Sequence, residues 1–286
     1  MKSLMNYLSR IGSPSLLSAN NGLLMMNASR EMLAKIMEAQ SRAIPFENFD
    51  IVCGKTISMD PVDVERKLVD EKRGGYCWEQ NTLLQLALED LGYTVQPLLC
   101  RVRWGKPDYD SVPTTGFTHL VLKVQTDDGR FYLADVGFGG TNSIEPVSFN
   151  VAGDSQQLTE GQFRIIPSYR TLPRYQVLQL LVNEREWRPL YEWREETAPL
   201  VDQLAWNWYS CTFPTARFTT QLFACRVVGE ERHHLLNNQY VIRKGHGINK
   251  EVITETITTK VRLLELIDQV FGVQLVETEG IDRYLL

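Results

Sequence analysis

The chain has 286 residues, which is enough for about two compact units of ordinary size. Hydrophobic residues make up 43% and charged residues 23%, the balance of a globular protein, and the formal net charge is −5. A mildly acidic chain without a block of Lys and Arg argues against nucleic acid as a partner. Because no apolar stretch approaches the roughly 18 residues of a membrane span and the start lacks an apolar signal core, we expect no membrane contact and a cytoplasmic location.

Helical patterns fill the first third of the chain. Apolar residues recur at helical spacing from Ser29 to Ala43, with Asn27 or Ser29 available as the N-cap. Asp60-Pro61 provides a cap and a first helical position, which predicts a second helix. The clearest helix begins after Gly74-Gly75 and stops at Gly92. Its buried face is predicted to hold Cys77, Asn81, Leu84, Leu88 and Leu91.

Beyond that helix the apolar residues alternate, which is the period of a strand. Strands are predicted at Leu98–Trp104, His119–Val124, Phe131–Val136, Phe163–Ile166, Tyr175–Val182, Trp187–Trp193, Phe218–Val228, Leu235–Arg243 and Val273–Val276. The polar stretch Gly153–Gly161 is predicted to be a loop, and a late helix is predicted near Thr258–Phe271. Helices first, strands second and a mixed last part predict an α+β fold rather than a doubly wound parallel sheet.

The few cysteines and histidines limit the chemistry that the chain can carry. Among five cysteines and four histidines there is no C-x-x-C pair and no H-E-x-x-H spacing, so we expect no metal site and reduced thiols. His233, His234 and His246 have a spacing suited to neither a metal nor a triad, and we interpret them as surface or loop residues.

Cys77 is the first candidate for chemistry. It lies between a Gly-Gly turn and the start of a helix, where unpaired N–H groups and the positive end of the helix dipole favour a thiolate. Its position alone fits a buried structural cysteine equally well.

His119 and Asp135 lie on the two strands of a predicted hairpin, and the turn decides whether they can meet. A two-residue turn would pair His119 with Phe138 and put Asp135 on the opposite face. A three-residue loop at residues 127–129 would pair Val121 with Asp135 and make His119 and Asp135 diagonal neighbours on one face. The second register is favoured, because Gly129 suits the left-handed last position of such a loop.

Together, Cys77, His119 and Asp135 would supply a nucleophile, a base and a group that orients the base. Without the cysteine, a solvent-bonded His and a loop-capping Asp would be the more ordinary interpretation. The chain order Cys, His, Asp also suits papain-like and transglutaminase-like folds.

The residues around this candidate triad strongly resemble the arylamine N-acetyltransferase family. Arg73-Gly74-Gly75-Tyr76-Cys77-Trp78-Glu79-Gln80-Asn81 is similar to the family's active-site signature. Other family-like motifs follow in order: Ile44-Pro45-Phe46-Glu47-Asn48, Thr118-His119-Leu120, Asp135-Val136-Gly137-Phe138-Gly139, Asn207-Trp208-Tyr209-Ser210 with Pro214 and Phe218, and Phe271-Gly272-Val273. The stretch between Asp135 and Asn207 is too short for the insertion typical of vertebrate members, so the resemblance is to the bacterial type.

The resemblance implies three parts: an N-terminal helical bundle (1–93) carrying Cys77, a central β-barrel (94–204) carrying His119 and Asp135, and a C-terminal α/β lid (205–286). It also implies an acetyl-CoA-dependent N-acetyltransferase that acts on arylamines, arylhydrazines and arylhydroxylamines by a ping-pong mechanism through an acetyl-Cys77 thioester. A role in xenobiotic metabolism follows. The expected partners are coenzyme A and a small aromatic amine or hydrazine, and the expected state is a monomer or homodimer.

Further roles come from the same resemblance. Phe46 and Phe138 are expected against the aryl ring of the substrate, although either would also suit the protein core. Backbone amides of Gly137, Gly139 and Gly140 are candidates for contacts to CoA. Two other activities could use the same triad: an amide synthase that closes macrolactams, and a cysteine hydrolase that passes the acyl group to water.

An ion pair between Arg73 and Glu47 is expected to fix the loop before Cys77. Non-enzymatic binding is disfavoured, because all three triad positions are filled.

Overall fold

Helices occupy the first third of the chain, as the periodicity predicts. The computed structural model describes residues 1, 3–17, 27–105, 115–141, 143–150, 152–168, 174–183, 185–245 and 251–285. The first elements are α1 (Leu4–Arg10), a 3-10 turn (Pro14–Leu17), α2 (Arg30–Ala43), the short strand β1 (Phe46–Glu47), α3 (Phe49–Val52), α4 (Pro61–Glu65), a π-helical turn (Arg66–Asp70) and α5 (Cys77–Asp90).

The predicted helix ends are confirmed by their hydrogen bonds. Ser29, not Asn27, caps α2, because its side chain accepts from the Met32 N–H at 3.2 Å. Asp60 caps α4 and accepts from the Val62 N–H at 2.8 Å. Each cap gives one of the free N–H groups of the first helical turn a partner.

The middle of the chain forms an eight-stranded antiparallel sheet. Its strands are β2 (Thr94–Val102), β3 (His119–Gln125), β4 (Phe131–Ala134), β5 (Val147–Ser148), β6 (Gln156–Leu158), β7 (Gly161–Pro167), β8 (Tyr175–Leu181) and β9 (Trp187–Arg194). They are ordered β5-β4-β3-β2-β9-β8-β7-β6. The Gln156 side chain bridges the two edge strands, accepting from the Ser148 N–H at 2.6 Å and donating to the Ser148 carbonyl at 2.9 Å. The sheet is therefore a nearly closed barrel.

The last part of the chain combines helices with a five-stranded antiparallel sheet. Its elements are α6 (Leu200–Thr212), α7 (Arg217–Thr220), β10 (Phe223–Val228), β11 (Glu231–Leu236), β12 (Gln239–Lys244), β13 (Glu251–Thr256), α8 (Lys260–Gln269) and a 3-10 turn (Ile281–Tyr284). The strand order is β1-β10-β11-β12-β13, with Phe46 of β1 opposite Cys225 of β10. Because Phe46 also forms a bridge with Gly75, the loop before Cys77 is connected through β1 to the C-terminal sheet. Helices with two antiparallel sheets confirm the mixed α+β class.

One predicted strand and one predicted loop are wrong, because helix ends and edge pairing override the local pattern. Residues 273–276 form no strand in the described chain; the Val273 N–H instead folds back onto the Ile267 carbonyl at the end of α8. The predicted loop Gly153–Gly161 contains β6, which pairs with β7 and buries Leu158.

Two other predicted strands are divided by turns. The segment Phe218–Val228 begins in α7, where Phe218 packs on the rings of Phe46 and Tyr76. The segment Leu235–Arg243 is a hairpin of β11 and β12, turned at Asn237, whose φ is 52°. Asn is among the few residues that adopt this left-handed conformation at modest cost.

Packing of α5 against the barrel places the candidate residues together. Its apolar face, with Leu84 and Leu88, shares one buried cluster with Leu122 and Ala134 of β3 and β4. All five residues of the predicted stripe are buried, and the stripe begins at Cys77. The first turn of α5 therefore lies beside the start of β3. None of the helices in the part of the chain that the structure describes has the length and apolar character needed to cross a bilayer.

Candidate active site

The Cys77 thiol lies at the first position of α5 and is 2% exposed. Its Sγ donates to the Thr118 carbonyl at 3.7 Å. Burial and then the nearby Asp135 carboxylate raise the pKa of the thiol above its ordinary value, although backbone N–H groups of Leu120 and Trp78 act in the opposite direction. Burial and the neighbouring carboxylate therefore favour the protonated thiol and oppose the thiolate expected from the helix terminus. A base is needed to remove the proton.

The hairpin register brings His119 and Asp135 together. Leu122 pairs with Ala134, the register of the three-residue loop, and Gly129 has the expected left-handed φ of 80°. The predicted register is confirmed. His119 Nε2 lies 2.8 Å from Asp135 Oδ2, and both side chains are buried.

Hydrogen bonds from three directions hold the Asp135 carboxylate. Its Oδ1 accepts from Asn81 Nδ2 at 3.0 Å and from the Gly137 N–H at 2.8 Å, while Oδ2 faces His119. Burial alone would raise the pKa of Asp135, but the charge and hydrogen bond of His119, followed by the bonds from Asn81 and Gly137, hold it below its usual value. These contacts therefore favour the ionised carboxylate and fix its orientation.

Asn81 carries the network expected of a buried amide. It also donates from Nδ2 to the Leu120 carbonyl at 2.7 Å and accepts at Oδ1 from the Val136 N–H at 3.0 Å. One side chain on α5 thus connects the strand that bears His119 with the segment that bears Asp135.

Cys77 and His119 open onto a cavity of about 940 Å³. That volume is near the upper end of the range for small-molecule sites. The candidate residues Phe46, Phe138, Gly137, Gly139 and Gly140 all line it. Sequence reasoning missed other lining residues, among them Tyr209, Arg217, Phe218, Phe223, His234 and Arg243. Only Tyr209 and Phe218 belong to a motif that could have indicated them.

The two aromatic candidates pack against different parts of the protein. Phe46 packs edge to face against Phe223 of the C-terminal sheet, with 5.4 Å between the ring centroids. Phe138 packs against the His119 ring and against Tyr191 of the barrel, with 5.2 Å between ring centroids in both pairs.

The glycine segment after Asp135 makes close backbone approaches. A Cβ on Gly137 would lie 2.7 Å from Cys77 Cα, so only glycine fits there without movement. Gly139 and Gly140 have positive φ angles of 76° and 134°. A Cβ on Gly140 would meet the His234 ring at 2.4 Å. These glycines therefore allow the barrel, α5 and the C-terminal sheet to meet around one cavity.

The interpretation of His233 and His234 as surface or loop residues is wrong. Both lie in β11, whose side chains alternate between the cavity and the buried side of the sheet. His233 is 7% exposed and its Nδ1 lies 2.6 Å from the Tyr240 hydroxyl, while His234 lines the cavity. His246 lies outside the described residues.

The expected ion pair before Cys77 is present and is part of a larger network. Arg73 lies 3.1 Å from both Glu47 and Asp50. The Lys67 ammonium forms ion pairs with Asp50 at 2.8 Å and with Glu79 at 2.6 Å. Alternating charges thus connect the loop before Cys77 with the first turn of α5. Among the described residues no group of His, Cys, Asp or Glu is arranged to hold a metal ion.

Comparison with known proteins identifies the family. A family model described as N-acetyltransferase matches residues 30–280. The arylamine N-acetyltransferase of Mycolicibacterium smegmatis is 34% identical over 255 residues, which is 87% of each chain. The arylamine N-acetyltransferase / N-hydroxyarylamine O-acetyltransferase of Salmonella typhimurium is 32% identical over 85% of this chain and 82% of its own. The chain belongs to the arylamine N-acetyltransferase family.

Solved structures of other arylamine N-acetyltransferases have the same fold. The Mycobacterium marinum arylamine N-acetyltransferase in complex with CoA superposes with a TM-score of 0.86 at 30% identity, covering 99% of this chain and 98% of its own. The M. smegmatis arylamine N-acetyltransferase superposes with a TM-score of 0.85 at 30% identity, covering 99% of this chain and 97% of its own. Membership in this family makes the chain an acetyltransferase.

Proposed function

We propose that the chain transfers the acetyl group of acetyl-CoA to arylamines, arylhydrazines and arylhydroxylamines by a ping-pong reaction through a thioester on Cys77. The observation that carries the proposal is the convergence of the Cys77 thiol and the buried His119–Asp135 pair on one large cavity. The family membership and the CoA complex of a relative support acetyl-CoA as the donor.

In the first half-reaction His119 takes the proton of the Cys77 thiol. Because Asp135 engages Nε2, the proton passes to Nδ1. The charge of Asp135 stabilises the resulting imidazolium. The Cys77 sulfur then attacks the acetyl carbonyl, a new S–C bond forms, and the C–S bond to CoA breaks. The imidazolium returns its proton to the departing CoA sulfur.

In the second half-reaction the aromatic amine attacks the acetyl-Cys77 carbonyl. The amine nitrogen gives its proton to His119 as the new C–N bond forms, and the Cys77 sulfur leaves and is reprotonated. Backbone N–H groups, that of Cys77 among them, are placed to stabilise the oxyanion of each tetrahedral intermediate.

The cavity lining suits both substrates. We assign Phe46 and Phe138 to the aryl ring of the substrate, since both line the cavity and aromatic rings pack favourably on one another edge to face or offset. The Gly137, Gly139 and Gly140 backbone and the positive charges of Arg217 and Arg243 suit the polar and phosphate groups of CoA. We also propose that the chain has three parts, 1–93, 94–204 and 205–286, the last of which is a lid. We further propose a cytoplasmic location and a monomeric or homodimeric state.

Intact-mass spectrometry tests the proposal. Incubation with acetyl-CoA should add one acetyl group to the protein, and an arylamine should remove it much faster than water. Cys77→Ala should not be acetylated. Cys100→Ala, which alters another buried thiol outside the cavity lining, should be acetylated like the wild type.

Other outcomes would favour the alternative activities. Rapid discharge by water, unaffected by arylamine, would indicate a cysteine hydrolase. Acylation by long-chain thioesters but not by acetyl-CoA would indicate an amide synthase. Acetylation of the Cys77→Ala variant would refute the assignment of the nucleophile.

A further inference from the structure

The motif Asn207-Trp208-Tyr209-Ser210 has a resemblance to the family but no role so far. It lies on α6, a helix whose buried face is mostly polar: beside Cys211, Asn207 and Ser210 are 4% and 2% exposed, while Leu204 and Trp208 are 45% and 61% exposed. A surface helix ordinarily buries its apolar side and exposes its polar side. Burial of the polar face therefore calls for specific partners.

Those partners are the two residues that flank Cys77. The Tyr76 hydroxyl donates to Asn207 Oδ1. The Trp78 indole Nε1 donates to Ser210 Oγ at 3.3 Å. Both aromatic side chains are fully buried. We call Asn207 and Ser210 the α6 clamp, because they hold the side chains immediately before and after the thiol.

Further hydrogen bonds fix the orientation of the clamp itself. Asn207 donates from Nδ2 to the Ile57 carbonyl at 2.9 Å, which turns its Oδ1 toward Tyr76. Ser210 donates its hydroxyl proton to the Trp206 carbonyl at 2.7 Å, which leaves its oxygen to accept from Trp78. Each clamp residue thus has a donor and an acceptor role that match its two neighbours.

The clamp acts on the part of α5 that sets the direction of the thiol. The Tyr76 backbone is already fixed, because its N–H donates to Glu79 Oε2 at 3.1 Å and its carbonyl accepts from the Gln80 N–H at 2.9 Å. With the side chain also held, the first turn of α5 cannot rotate about its axis without breaking buried hydrogen bonds. Such breakage is costly because the separated groups are out of reach of water.

We propose that Asn207 and Ser210 are positioning residues that set the Cys77 thiol for proton transfer to His119. This inference rests on the proposed role of Cys77 as nucleophile. A displacement of about 1 Å at a reacting group can lower a rate on the order of 10²-fold. Loss of the clamp should therefore lower the rate of thioester formation. Asn207 does not line the cavity, so its loss should leave the binding of both substrates unchanged.

The test compares Asn207→Ala and Ser210→Ala with Gln203→Ala. Gln203 is a matched control: it lies one helical turn earlier on α6, is 6% exposed, and its side-chain amide donates to the Ala198 carbonyl at 2.8 Å rather than to Tyr76 or Trp78. Three quantities are measured for each folded variant: kcat and KM for acetyl transfer, and the pH-dependent rate of Cys77 alkylation by iodoacetamide, resolved by peptide mass spectrometry. Urea denaturation gives the folded fraction.

We expect both clamp variants to lose about tenfold or more in kcat and to show an altered pH profile of Cys77 alkylation. The KM of Asn207→Ala, which leaves the cavity lining intact, should change by about twofold at most. Gln203→Ala should lose stability only. Ser210→Thr, which keeps the hydroxyl, should restore the alkylation profile. In a double-mutant cycle, Tyr76→Phe and Asn207→Ala should be non-additive in kcat, because both remove one interaction.

Unchanged kcat and unchanged Cys77 alkylation in the clamp variants, with a stability loss like that of Gln203→Ala, would overturn the inference and leave a structural role only. The proposed function fails by a different result, namely absence of acetylation in the wild type. Alkylation requires no acetyl-CoA, so it reports on thiol positioning in either case.

Discussion

Gly137→Ala should reduce acetyl transfer by displacing Cys77 from His119. The new Cβ would lie 2.7 Å from Cys77 Cα and 2.9 Å from Asn81 Nδ2. To lengthen the distance between the new Cβ and Cys77 Cα to an ordinary contact of 3.4 Å, α5 and the segment after Asp135 must move apart by about 0.7 Å. Contact with Asn81 also strains its hydrogen bond to the Asp135 carboxylate.

Two magnitudes follow. Overpacking of this kind lowers the free energy of unfolding by about 1–3 kcal/mol. A misplacement approaching 1 Å should lower kcat by about 10- to 100-fold. Urea denaturation measures the first effect, and steady-state kinetics on the folded protein measure the second.

Gly229→Ala provides the control for this prediction. Gly229 lies in the turn between β10 and β11, with a φ of 59°, and a Cβ added there would have no other heavy atom within 4 Å. Its substitution should cost about 1–2 kcal/mol in backbone strain, yet leave kcat unchanged. If Gly137→Ala retained the kcat and the Cys77 alkylation rate of the wild type, the close approach would have no bearing on the reaction.

Three further predictions follow from named contacts. Asp135→Asn should fold but lose about 10³–10⁴-fold in kcat, because an amide neither fixes the His119 tautomer nor stabilises an imidazolium; steady-state activity within tenfold of wild type would contradict this. Burial alone would raise the pKa of Asp50, but Lys67 and Arg73 hold it below its ordinary 3.8. The stabilising contribution of Asp50 is therefore present above pH 3.8 and disappears as the pH falls further. In thermal melts from about pH 7 to about pH 2.5, Asp50→Asn should reduce the loss of stability at acid pH, and an unchanged loss would exclude Asp50 as its source. Ser29→Ala should lower the free energy of unfolding in urea by about 1 kcal/mol and Asn27→Ala should not, since only Ser29 caps α2; equal losses would contradict the cap.

Local signals in the sequence predict the parts of the site that local geometry controls. Gly129 selects the loop length that brings His119 and Asp135 to one face, and Gly74-Gly75 together with the apolar spacing places Cys77 at the start of α5. These features depend on turn conformation and helical period, which are written in a few adjacent residues.

Features that depend on tertiary contacts could not be predicted in this way. Four large apolar residues of α6 are exposed, Leu200, Val201, Leu204 and Trp208, so its periodicity gives no clear core-facing pattern. The burial of Asn207 and Ser210 is explained only by tertiary contacts, among them those with Tyr76 and Trp78. Likewise, His234 and Arg243 join the cavity only because β11 and β12 turn at Asn237. The effect of burial on the Cys77 thiol is also invisible until the barrel and helices are assembled.

The clamp joins residues that are far apart in the order of synthesis. Trp78 and Ser210 are separated by 132 positions, and Tyr76 and Asn207 by 131. While the chain is being translated, the thiol is therefore made long before the helix that holds its neighbours leaves the ribosome. A nascent chain that already contains Cys77, His119 and Asp135 still lacks that support, so full reactivity of the sulfur should arise late, when more than two thirds of the protein has been synthesised.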